Sequence, residues 1–452
     1  MLELTDSYKQ SHAPQYPPNM DGMMSYFEAR SGKQFPYTVF YGLQYIMKKY
    51  MVGKVVDQRS IDDAAEIVDA HMGPNIFNRL GWEYILDEYD GRLPIKICAV
   101  PEGTKVPVSN VLMTAESTDP LVPWIPGFVE TLLVQLWYPC TVATQSQEIR
   151  KVMNWYAEET GDLSGVPFKL HDFGCRGVSS MESAAIGGSA HLASFMGTDT
   201  MPALRLLREY YGCKMAGFSI GAMEHSTVTS WGKENEVDAY RNMLSKFPNG
   251  LIACVSDSYD VYNACDNIWG SDLKDIVMAR DGTVVVRLDS GMPLDIVMYA
   301  LESLGKSYGY TINEKGYKVL DSHIRILQGD GVDKDLINSI LGAMKHEKWS
   351  IDNIAFGAGG SLLQKLNRDT QQFAYKCCAI SVNGKWQDVF KDPITSQAKR
   401  SKAGRIKLVK KNGSYETVPI NDPRDSVLRP VFDTGELLVT TTFDEIRERT
   451  NL

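Results

Sequence analysis

At 452 residues and 44% apolar, the chain exceeds what one compact core covers, and it has material for two domains or one enlarged barrel. Its 47 basic and 56 acidic residues give a net charge of -9 and a pI near 5.4, which argues against a general binder of nucleic-acid backbones and makes any phosphate site local. A run of about 18 apolar residues is absent, the start MLELTDSYKQSH has no basic then apolar pattern, and the eight cysteines form no C-x-x-C pair, so the expectation is a soluble cytoplasmic protein with reduced thiols and no membrane contact.

Residues 1–160 are expected to mix helix and strand. Aromatic-rich segments (YFEAR, TVFYGLQYIMKKY, ETLLVQLWYP) accompany a helical stretch near 60–72 and short strands such as LPIKICAVPEG. From residue 166 another rhythm sets in: a short apolar run, a tight cluster of Gly, Asp, Ser, Arg or His, then helical spacing. VPFKLHDFGCRG, AGFSIGAMEHS, LIACVSDSYD, TVVVRLDSG, HIRILQGDGVD and NIAFGAGGS carry it, their starts roughly 30 to 50 residues apart, the length of a strand, loop, helix and return. Helices are expected between them, at SSMESAAIGGSAHLASF and KDLINSILGAMK.

Continuous apolar runs suit buried parallel strands, and barrels of that kind carry their chemistry on the loops after the strands' carboxyl ends. The six polar clusters would then share one rim. Ordinary βα turns use the same residues for conformational reasons, so any single cluster is open to that explanation; six in succession point to a site. Residues 377–452 return to short strands broken by NGKW, KNGS and DTGE, which signal hairpins. The expected fold is α/β: an irregular TIM-like α/β barrel over 161–376, with a second α+β domain built from both chain ends, 1–160 and 377–452.

Within the rim clusters, Glu224 and His225 stand side by side after an apolar run. Neutral imidazole is a good nucleophile toward phosphoryl groups, and it is also a common hydrogen-bonded structural residue. Asp257, Asp289 and Asp330 each follow a strand directly, where a carboxylate needs hydroxyls, cations or a metal unless it caps a helix or turn; Asp330, inside GDGVD, fits that second role best. AFGAGGSLLQKLNRD reads as strand, glycine turn and helix, suited to a phosphate, with Arg368 as a further cation or with glycines that only serve packing. It is neither a P-loop nor a G-x-G-x-x-G fingerprint. Lys391, Lys399, Arg400, Lys402 and Arg405 cluster late in the chain, as a grip for a polyanion or a solvated charge run. The remaining histidines show no zinc-ligand spacing, and no metal ligand is assigned from spacing.

Beyond these readings, the chain resembles the nicotinamide phosphoribosyltransferases, of the type II phosphoribosyltransferase group. TDSYKQSHAPQYPPN, VFYGLQYIMKKY, LHDFGCRGVSSMESAAIGGSAHL, GTDT, EHSTVTSWGK, VSDSYDVYNAC, RLDSGMPLD, LQGDGVD, WSIDNIAFGAGGSLLQKL and VFKDP with KRSKAGR carry the resemblance in family order, from residue 5 to about 405. It implies transfer of phosphoribosyl from phosphoribosyl pyrophosphate to nicotinamide in NAD salvage, with Mg²⁺ as cofactor, ATP as co-substrate and a homodimer with shared active sites. His225 would be transiently phosphorylated, with Glu224 and Asp257 orienting it or its partners. Phe173 and Tyr8, the latter from the other subunit, would stack on the pyridine ring; Asp199 would accept from the carboxamide, with Arg287 beside the ring. Asp289, Gly329 and Asp330 match ribose positions, Gly359, Gly360 and Arg368 the 5'-phosphate cradle, and Arg30, Arg176, Lys376 and Lys391 the pyrophosphate or ATP surround.

A carboxylate at position 199 repels nicotinate, so the resemblance favours the amide over the acid. Cys175, Ala253 and Ser361 depart from the family pattern, as does the shortened segment between Arg30 and Val39. A nicotinate-using enzyme is the alternative within the reaction class, and a catalytically idle nucleotide-binding relative the alternative outside it.

Overall fold

The computed structural model describes residues 1–395 and 400–451, so Lys399 of the basic stretch lies outside the described residues. The chain divides into two units, one of Met1–Thr144, Leu207–Cys213 and Leu366–Leu452, the other of Gln145–Leu206 and Lys214–Lys365. These bounds depart from the expected 1–160, 161–376 and 377–452 in three places. Residues 145–160 go with the second unit, while 207–213 and 366–376 go with the first.

The first unit is built on a seven-stranded sheet that interleaves the two ends of the chain. Ala374–Val382 pairs antiparallel with Met20–Glu28, and Arg429–Asp433 with Ile95–Ala99. Three hairpins close as their turn residues dictate: Asn383-Gly384, Asn412-Gly413 and Thr434-Gly435 all have positive φ, the geometry of a two-residue type I′ connection. Helix Gln58–Met72 starts at a capping box in which Asp57 and Ser60 satisfy each other's backbone N–H groups.

The second unit is a curled parallel sheet of seven strands: β1 Leu170–Asp172, β2 Gly197–Thr198, β3 Gly221–Ala222, β4 Ile252–Val255, β5 Val284–Leu288, β6 Ile324–Gln328 and β7 Ile354–Ala358. Their spatial order is β2-β1-β7-β6-β5-β4-β3. A parallel bridge between Gly197 and Phe218 joins the two ends of that order, which makes the sheet barrel-like. Six strands come from the six apolar runs. The seventh, β2, is two residues long like β3, but it closely follows SSMESAAIGGSAHLASF, a segment that reads as helix, and has no apolar run of its own.

Side chains alternate across a strand, so one set faces the helices and the other the barrel interior. Ala253, Val285 and Leu327 form one buried cluster, with Phe173, Ile220 and Ala355 packed against it. Ala253 and Ala355 are small for a barrel core, and a cavity of about 520 Å³ remains inside. It runs from Phe173 and Asp199 down to Lys169, Leu251, Thr283 and Arg325 at the strands' amino ends. Lys169 donates to the Asp352 carbonyl at 3.1 Å, and burial pulls its ammonium down to about 8. Among the described residues no helix is long and apolar enough to cross a membrane, and all eight cysteines are free thiols.

Candidate active site

Each strand of the barrel delivers a sequence-predicted residue at its carboxyl end. β1 leads to Phe173 and Arg176, β2 to Asp199, β3 to Glu224 and His225, β4 to Asp257, β5 to Asp289, β6 to Gly329 and Asp330, and β7 to Gly359 and Gly360. Parallel register is what collects them: Ala358, Asp172 and Thr198 stand level across β7, β1 and β2, and Arg287 is level with Leu327 and Val255.

His225 opens the short helix His225–Thr229, and its Nε2 lies 3.2 Å from Asp257 Oδ1. The imidazole is 47% exposed and the carboxylate 2%, so a buried anion holds an accessible ring. Donation from Nε2–H to Asp257 leaves the lone pair on Nδ1. The strand end beneath is fixed in turn: Ser256 accepts from the Trp269 indole N–H at 2.9 Å and donates to the Cys254 carbonyl at 2.9 Å. Glu224, expected to orient the ring or its phosphate and Mg²⁺ partners, accepts from the Ser226 hydroxyl within the same turn.

Arg287 on β5 and Asp289, one residue past its end, pair at 2.9 Å. The Arg287 guanidinium lies 5.5 Å from the centroid of the Phe173 ring. Gly329 sits against that pair; a Cβ there would come 2.5 Å from Asp289 Oδ1 and 3.0 Å from Arg287 Nε. Gln328 donates to the Asp330 carbonyl at 2.9 Å, and the Asp330 side chain is exposed in the turn. The expected helix after Gly359 is a single turn, Gly360–Leu363, and its Ser361 donates to the Val332 carbonyl.

Asp199 is tied to the neighbouring strand end by its N–H, which donates to the Asp172 carbonyl at 3.0 Å; the Asp172 carboxylate accepts from Gly174 N–H at 2.7 Å. Burial pushes the Asp172 carboxyl up to about 6 and holds His171, a wall of the cavity, below its ordinary value and so neutral near pH 7.

Arg368, expected beside the glycine turn, belongs to the first unit. There it lines a cavity of about 580 Å³ with Tyr8, Arg30, Lys376 and Lys391. Four cations line this cavity with the rings of Tyr8, Phe373 and Tyr375 and the carboxylates of Asp6, Glu130 and Asp369, and the cations suit a polyanionic ligand. Carboxylates hold some of them: Glu28 accepts from Arg30 at 3.0 Å and from Lys402, and Glu130 lies 3.7 Å from Lys376. Within the basic stretch Lys402 and Arg405 are paired with carboxylates, while Arg400 stays exposed. Arg405 grips both oxygens of Glu116 at 2.9 and 3.0 Å, and Lys391 turns to the cavity.

Sequence reasoning missed Asp172, Ser219 and Glu28, which touch predicted residues. Each lies within a quoted segment but carries chemistry only through a neighbour brought up by folding.

Residues 168–436 match the nicotinate phosphoribosyltransferase (NAPRTase) family, and residues 1–97 match the nicotinamide phosphoribosyltransferase N-terminal domain. A nicotinamide phosphoribosyltransferase of Xanthomonas campestris pv. campestris is 48% identical, over 99% of this chain and 97% of its own length. One of Acinetobacter baylyi is 30% identical, over 99% and 96%. The crystal structure of a nicotinate-nucleotide pyrophosphorylase from Pyrococcus furiosus superimposes with a TM-score of 0.62 at 17% identity, covering 100% of this chain and 96% of that one, a likeness of fold.

Proposed function

The chain belongs to the nicotinate phosphoribosyltransferase family, and from that premise we infer that it is a nicotinamide phosphoribosyltransferase of NAD salvage, making nicotinamide mononucleotide and pyrophosphate from nicotinamide and phosphoribosyl pyrophosphate. The observation that carries the choice of base is Asp199 at the mouth of an apolar cavity. A carboxylate accepts from an amide NH₂ and repels a carboxylate, so the neutral base is selected.

The pyridine ring enters beside Phe173, with its nitrogen toward the rim. That nitrogen attacks C1 of the ribose as the bond from C1 to pyrophosphate breaks, and the leaving group takes the electron pair. Asp289 and the Gly329 turn receive the ribose hydroxyls, and Gly359 and Gly360 leave the 5'-phosphate room to approach the backbone. Arg176, exposed on the rim, meets the pyrophosphate.

His225 takes the γ-phosphoryl group of ATP on Nδ1, releasing ADP, while Asp257 accepts the hydrogen bond from Nε2–H. Hydrolysis of the phosphohistidine then drives the equilibrium toward product. Among the described residues no group of three His, Cys, Asp or Glu forms a metal cage. Magnesium that keeps its waters and takes phosphate oxygens needs only one or two carboxylates, and Asp289 and Asp257 on the rim suit it. When bound, it neutralises charge growing on the departing pyrophosphate.

Tyr8, Arg30, Arg368, Lys376 and Lys391 form a set of their own in the first unit. That supports a homodimer in which this cavity of one copy completes the rim of the other, with Tyr8 covering the free face of the ring. Free thiols support a cytoplasmic setting.

The test is product formation from phosphoribosyl pyrophosphate and Mg²⁺ with either base, each with and without ATP. Nicotinamide mononucleotide is expected to form in preference and faster with ATP; preference for nicotinate overturns the base assignment, and transfer of neither overturns the activity. A sedimentation mass of one chain at assay concentration would remove the shared site.

Gly357 supplies a further check, because a Cβ there would collide with the Phe173 ring. Gly357→Ala is expected to displace that ring and raise the nicotinamide KM about tenfold or more, with the KM for phosphoribosyl pyrophosphate little changed. Equal loss toward both substrates would argue against a base site at Phe173.

A further inference from the structure

Asp199 has two carboxylate oxygens, and an amide needs one of them in a fixed place. The bridge that joins the ends of the barrel determines where they are. Phe218 N–H donates to the Met196 carbonyl at 2.7 Å, and Thr198 N–H to the Phe218 carbonyl at 3.1 Å. This register brings Ser219 beside Asp199, and the Ser219 hydroxyl donates to Asp199 Oδ1. The approach requires glycine at 217, where a Cβ would lie 2.7 Å from Thr198 Cγ2. Ser219 and Asp199 both line the barrel cavity, and both are exposed, so Ser219 is not needed to fill the core.

We propose that Ser219 is the positioning residue for base selection: its hydroxyl occupies Oδ1 and fixes the Asp199 carboxylate so that Oδ2 is presented to the carboxamide. The inference rests on the assignment of Asp199 to the amide. Ser219 acts through Asp199, not on the reacting atoms, so its contribution belongs to the binding of one substrate. A hydroxyl donor also holds the negative charge at the mouth of the cavity, where it excludes an anionic base. Selectivity is in this way coupled to the barrel's closing seam, since a slip at Phe218 would remove the donor.

The experiment compares Ser219→Ala and Ser219→Thr with the parent, measuring initial rates with nicotinamide, nicotinate and phosphoribosyl pyrophosphate. Ser219→Ala is expected to raise the nicotinamide KM roughly 5- to 30-fold with kcat within about twofold, the size of one lost charge-assisted hydrogen bond. The preference for nicotinamide over nicotinate falls with it, and the KM for phosphoribosyl pyrophosphate stays. Ser219→Thr, which keeps the hydroxyl, stays near the parent. In an Asp199→Asn background the alanine change has little further effect, because the two residues act as a pair.

A nicotinamide KM unchanged in Ser219→Ala, equal impairment in both variants, or additive effects with Asp199→Asn would each overturn the proposal while the parent remains nicotinamide-selective. A parent that prefers nicotinate overturns the assignment of Asp199 itself, and the proposal with it.

Discussion

A His225→Ala variant is expected to form nicotinamide mononucleotide at a rate that ATP no longer changes. The reason is positional: this rim imidazole is 47% exposed and is anchored at Nε2 by a buried carboxylate, Asp257, at 3.2 Å. Removing the ring removes the phosphoryl acceptor but leaves Phe173, Asp199, Arg287 and the glycine turns, so slow base transfer persists. With ATP present, kcat/KM should fall by about 100-fold, to the level the parent shows without ATP. Product and ADP are measured together; a variant that still releases ADP in step with product would eliminate the phosphohistidine. Asp257→Asn keeps the ring and should retain part of the coupling.

Asp199→Asn is expected to change the base instead of the coupling. The asparagine carbonyl still accepts from a carboxamide, but the charge that strengthens this bond and repels nicotinate is gone, and the new NH₂ can donate to the acid. Loss of a charge-assisted bond on one side and relief of like-charge contact on the other should shift the ratio of kcat/KM for nicotinamide over nicotinate by about 100-fold or more. Parallel kinetics with the two bases read this directly. A ratio that barely moves would mean that selection lies elsewhere in the cavity, among His171 and the apolar walls.

Much of the rim was legible before folding. Once TVVVRLDSG is read as a strand, its alternation commits Val285, Arg287 and Asp289 to one side, and LIACVSDSYD likewise commits Ala253, Val255 and Asp257. The structure gives Val285 and Ala253 to the barrel cavity and sets Arg287 and Asp289 above them. The hairpins at Asn383-Gly384 and Asn412-Gly413 were legible for a different reason, since φ > 0 at two successive residues is a requirement few sequences meet. Less was legible where a residue's partner is far along the chain. Arg368 follows the glycine turn by only a few residues, yet it shares its cavity with Tyr8 and Arg30. Lys402, in a stretch that reads as solvated charge, meets the buried Glu28 some 374 positions away.

By itself, then, the sequence determined the local terms: the apolar runs that become parallel strands, the glycines and carboxylates that end them, the turn types, and the family-ordered motifs that name the reaction. Those terms depend on neighbours within a few residues, where spacing and side-chain type suffice. Only the tertiary structure decided which side chains meet. The two-residue strand at Gly197, the bridge to Phe218, the hydrogen bond from Ser219 to Asp199 and the grouping of Tyr8 with distant cations follow from strand order and register. Those are set by packing the whole barrel and the whole sheet, and contacts between residues far apart in the chain leave no periodic trace in the sequence.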